Sequence, residues 1–129
     1  MSKFYLYIAI SLLSIHVDAQ NNYERISDRF LIFYNAETPD SIFAMYTTEL
    51  KEKLPIEKTR TVISGLHVQF GEMRSLHLLK QDSGFNVYKA AFSHQTLCLL
   101  LAVTDDSLIE GFRLVPYDAT LFPEEKKTL

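Results

Sequence analysis

The sequence predicts an α+β domain, and three observations predict it. Apolar residues recur about every four positions before Gly71, the period falls to two after it, and the joins between the later apolar runs are short enough for hairpins. Helices grouped first and strands grouped second give a layer of helices packed on one face of a curved four-stranded antiparallel sheet.

The chain opens on a segment unlike the rest. Lys3 supplies a positive start, Phe4 to Ile15 is apolar apart from Tyr and Ser, and Val17-Asp18-Ala19 offers the small residues that a signal peptidase reads. Residues 1–19 therefore read as a secretory signal. A membrane anchor is the weaker reading, because an uncharged run of about a dozen residues falls short of the ~20 that span hydrocarbon. Cleavage after Ala19 leaves Gln20 at the new terminus, where it can cyclise, and no Cys follows the apolar run to carry a lipoprotein anchor. The mature chain is expected in the periplasm or outside the cell, without a membrane attachment.

Each later element has its own signature. Ile26, Phe30, Leu31, Phe33 and Tyr34 form a helical stripe with Asp28 and Arg29 on the wet side, which predicts a helix over 23–34. Asn35 to Asp40 breaks it, and Thr38-Pro39 supplies a cap and a first-turn proline for a short second helix, Asp40 to Tyr46. Thr47 or Thr48 can cap one more turn through Lys53. Pro55 opens the third helix, in which Ile56, Thr59, Val62, Ile63, Leu66 and Phe70 lie near one face and Gly71 is the stop. Three helices are thus expected.

Four strands follow: Met73 to Lys80, Phe85 to Ser93, Gln95 to Thr104 and Leu108 to Tyr117. The third is apolar on both alternations from Leu97 to Val103, so it belongs in the middle of the sheet, covered on at least one face. Gly111 inside the fourth suggests a bulge or bend. The domain then spans 20–117, and the polar stretch 118–129 reads as a loose tail.

Composition sets the limits. A chain of 129 residues holds one domain, and 47% hydrophobic residues with a net charge of −3 fit a packed core rather than disorder. The acidic balance supplies no basic patch for nucleic acid. Cys98 is the only cysteine, so no internal disulfide can form, and its leucine neighbours mark a buried structural thiol rather than a nucleophile.

The stretch FYNAETPDSIFAMYTTELKEKLPIEKTRTVISGLHVQFGEMRSL, with the later GFNVYKAAF, LCLLLAV and IEGFRLVPYD, resembles a bacterial domain of unknown function in the nuclear-transport-factor-two-like, or cystatin-like, superfamily. The matching features are Asn35-Ala36, the run Glu49 to Pro55, Gly71, Gly111 and Pro116, all of them turns, caps and core positions. The resemblance covers residues 23–117 and implies a cone of three helices on a curved sheet. It also implies an accessory role beside exported serine hydrolases related to β-lactamases, and a superfamily habit of dimerising through the sheet. No Ser-x-x-Lys spacing occurs here, so a hydrolase partner would be encoded separately.

Relatives of the fold that move protons use an acid or base inside the cone. Residues that could serve here are His77 on the first strand, Tyr88 on the second, and Glu110 with Arg113 on the last. Strand alternation sets Glu110 and Arg113 on opposite faces unless a bulge intervenes. A metal site is not indicated: His67, His77 and His94 fall on different elements and each reads as a solvated histidine, while Asp105-Asp106 reads as turn chemistry. No cofactor motif occurs. Two readings follow. One is an exported, non-catalytic module that binds a small apolar ligand or a protein such as a separately encoded exported enzyme. The other is a small lyase or isomerase working by proton transfer in the cone.

Overall fold

The computed structural model describes residues 24–82 and 84–122. The expected signal, residues 1–19, and residues 123–129 of the tail lie outside them. In chain order the elements are α1 (described over 24–35), α2 (Pro39–Ala44), α3 (Thr48–Lys53), α4 (Ile56–Phe70), β1 (Met73–Asp82), β2 (Phe85–Phe92), β3 (Thr96–Val103) and β4 (Ile109–Pro116). A short 3-10 turn, Ala119–Leu121, follows. The fold is α+β, with a four-stranded antiparallel sheet in the order β1-β2-β3-β4 that does not close on itself.

The helix count corrects the expectation of three. The turn after Thr47 is a helix of its own, because the Thr47 side chain accepts the Leu50 N–H at 3.1 Å and the buried Leu50 anchors it. What separates it from α2 is a parallel bridge: Ile109 donates to the Met45 carbonyl and accepts from the Thr47 N–H, which holds Tyr46 extended against β4.

The helical stripe predicted for α1 is the one that packs. Ile26, Phe30 and Tyr34 are buried at four-residue spacing against the sheet. In α4, Thr59 and Ile63 are buried, but Val62, counted on the core face from the sequence, turns outward and is 37% exposed. On the sheet, Tyr88, Ala90 and Phe92 of β2 and Leu97, Leu99 and Leu101 of β3 face the helices. That inner face with the helix stripes makes the core.

Polar bonds fix the helix layer to the strands. Asn35 donates to the Met73 carbonyl and accepts from the Met73 N–H, both at 2.8 Å, standing in for a missing neighbour strand at the start of β1. The Tyr34 hydroxyl donates to the Gly71 carbonyl at 2.8 Å. Gly71 itself must be glycine: its φ is 80°, and a Cβ there would lie 2.9 Å from that of Ser93. Tyr46 and Thr59 share a buried hydroxyl–hydroxyl bond of 3.1 Å between the α2–α3 bridge and α4.

The bulge hinted at by Gly111 falls one residue earlier. Ala102 pairs with Gly111 and Val103 with Ile109, so Glu110 is the extra residue. The expected tail is ordered in its first part: Asp118 caps the 3-10 turn through Thr120, and the Tyr117 and Phe122 rings stack with centroids 6.0 Å apart.

Candidate functional site

The helix-facing side of the sheet is apolar except at one end. Asn86, the second residue of β2, stands level with Gln81 of β1, Leu101 of β3 and Phe112 of β4, and its side chain falls on the same face as Tyr88, Ala90 and Phe92. Tyr88 follows two residues later, level with Leu99. Ser27 of α1 comes down on the pair, held by donating to the Glu24 carbonyl at 3.0 Å. Asn86, Tyr88 and Ser27 are all buried, at 4%, 3% and 5% exposure.

Their electrostatics are those of neutral groups in a dry setting. Burial pushes the Tyr88 hydroxyl above the ordinary tyrosine range; the neighbouring Ser27 and Asn86 side chains pull it partly back, and the carboxylates of Asp28 and Glu24 add to the rise. Tyr88 is therefore a neutral donor or acceptor at physiological pH and not a base. Asn86 Nδ2 lies close enough to that hydroxyl to act on it but completes no hydrogen bond there or elsewhere. A buried amide donor without an acceptor is rare in a folded protein.

The other sequence candidates lie elsewhere. His77 pairs with Lys89 on the sheet face turned away from the helices and is exposed. Glu110 is exposed at the bulge, and Arg113 is exposed opposite Leu100 on the outer face. The alternation argument for Glu110 and Arg113 fails because the bulge intervenes. The structure thus brings together only Tyr88 of the four, with partners that the sequence reading passed over. A signal for Asn86 was present: it is a polar residue at a core-facing position of a strand whose neighbours on that face are Tyr, Ala and Phe.

His67 corrects another expectation. It is not a solvated histidine: its ring stacks on Tyr34 with centroids 4.8 Å apart, and Nε2 is buried without a hydrogen-bond partner. Aromatic packing at the α1–α4 contact holds it there. His94 is exposed in the β2–β3 turn, with Nδ1 3.5 Å from the Gln69 carbonyl. Asp105 and Asp106 are exposed in the β3–β4 turn. Among the described residues, no three His, Cys, Asp or Glu side chains gather as metal ligands, and no helix is long and apolar enough to cross a membrane. An open recess of about 290 Å³ lies on the exposed side of α4 beside Leu54, Lys58 and Val62, apart from the polar cluster.

No family model matches this chain, and no curated protein or solved structure matches it either. The superfamily resemblance rests on the sequence motifs.

Proposed function

We propose that this chain is an exported, non-catalytic binding module, built as a cone of the nuclear-transport-factor-two-like kind. One observation carries the reading: the polar cluster buried at the end of the inner face is made of Ser27, Asn86 and Tyr88, none of them a group that changes charge near neutral pH. Proton transfer needs a group that changes charge near neutral pH and faces the reacting atom. The interior tyrosines Tyr34, Tyr46 and Tyr88 are all held further from ionisation than usual, chiefly by burial. His77 and Glu110, the candidates for a base on the strands, face solvent, and His67 is taken up in its stack on Tyr34.

A module of this kind works by holding a molecule or a protein. The cone offers the place for a small apolar ligand, and the sheet offers a surface for a second copy or for a separately encoded exported enzyme. A lyase or isomerase would exchange the protons next to a bound carbonyl. Incubating the protein with a simple ketone in heavy water and following the ketone's α-protons by NMR separates the two: no deuterium uptake above buffer is expected. Uptake that disappears in Tyr88→Phe would establish the enzyme instead.

A further inference from the structure

The buried end of β2 holds more donor capacity than the chain satisfies. Asn86 is 4% exposed, its Nδ2 finds no acceptor, Tyr88 and Ser27 lie beside it, and the residues on its level are the exposed Gln81 of β1, Leu101 of β3 and Phe112 of β4. An amide placed there for packing alone is a poor choice, because a leucine of similar size would leave no polar atom stranded. Phe112 is only half-buried and meets Phe30 edge-on at 5.3 Å, so the wall next to Asn86 is aromatic and incompletely covered.

We propose that Asn86 anchors a ligand site at this end of the cone, for a small neutral carbonyl compound with an apolar body whose oxygen accepts the Nδ2 proton. The inference rests on the binding-module reading and names the chemistry of its ligand. Neutrality follows from the charges near the site. Glu24 and Asp28 of α1 both act on the Tyr88 hydroxyl beside Asn86, so an anion brought to Nδ2 would meet two carboxylates. A carbonyl oxygen takes the same hydrogen bond without that repulsion. Leu101, Phe112 and Phe30 supply the apolar contact for the rest of the molecule.

Three probes of one size test it: hexan-2-one, hexane and hexanoate, titrated into the 15N-labelled protein. Hexan-2-one should move the Asn86 side-chain amide signals, and hexanoate should not. In Asn86→Leu the ketone should bind at least tenfold more weakly while hexane binds as before, and the free variant should melt no lower than the parent because the stranded donor is gone. The side-chain signals of the parent decide the matter even where the variant misfolds. Ketone binding that ignores Asn86, or a preference for hexanoate, overturns the inference and leaves the module reading standing. If none of the three binds, the inference falls and the small-ligand half of the module reading falls with it.

Discussion

The two faces of the sheet are buried by different means. The inner face lies under four helices, and its central residues Leu99 and Leu101 are wholly enclosed by side chains from several elements. No helix among the described residues lies over the outer face, yet Val87 and Cys98 are 7% and 3% exposed. Lys89 pairs with Cys98, and Cys98 pairs with Val115, two residues before Tyr117. The Lys89 Nζ sits 5.1 Å from the centre of the Tyr117 ring, so the lysine stem has to cross β3 at the level of Cys98. Phe122 then stacks on Tyr117 from the turn that Asp118 caps. Among the described residues, the inner face is covered by packing that many elements share, whereas over the outer face one long side chain reaches two stacked rings. The first kind of cover fails only with the whole fold; the second can open locally.

The largest test of that contrast uses neighbouring residues of one strand. Leu99→Ala on the inner face should cost about 3 kcal/mol in urea unfolding, because the cavity cannot collapse between helices and sheet. Leu100→Ala, facing out and half-buried, should cost about 1 kcal/mol. Equal losses would mean that the outer face is packed as tightly as the inner.

Alkaline titration probes the inner face further. Burial, with help from Glu37, pushes the Tyr34 hydroxyl up to about 12, and burial raises Tyr46 and Tyr88 as well. A folded-state value above the unfolded one means that the neutral hydroxyl is favoured by folding. The stabilisation is therefore complete below about pH 10, the ordinary tyrosine value, and is lost as pH rises through the folded value. The melting temperature should hold up to that point and then fall steeply; a chain whose melting temperature is flat through the whole alkaline range would refute the inner placement of these hydroxyls. The smallest effect belongs to the outer cover. Tyr117→Ser removes the ring under Lys89 and should speed thiol labelling of Cys98 about tenfold, with a loss of stability under about 1 kcal/mol. Labelling that changes only in step with global unfolding would show that the clasp is not what shields the thiol.

Much of this layout could be read from the residues. The change of period at Gly71, the apolar third strand and the stripe Ile26, Phe30, Tyr34 each correspond to an element in its place. Burial of one face imposes such patterns, and so they survive in a single sequence. What escaped depends on contacts between distant segments. The α2–α3 break is made by Ile109, the dry setting of His67 by Tyr34, and the bulge at Glu110 by the register of β3. Of the polar cluster, Tyr88 was visible as a residue type with chemistry. Asn86 and Ser27 were not, because their meaning comes from being enclosed together.

The side-chain bonds of Tyr34 and Asn35 have a kinetic consequence. The hairpins of the sheet join neighbours in the chain, whereas these bonds link residues 37 and 38 positions apart, enclosing α2, α3 and α4 in one loop. The entropy of closing that loop is lost before either bond can form, so docking of the first helix should come after the rate-limiting barrier. Asn35→Ala should then hasten unfolding in stopped-flow experiments and leave the refolding rate nearly unchanged. A chain held this way would owe the lifetime of its fold to how slowly the first helix lets go.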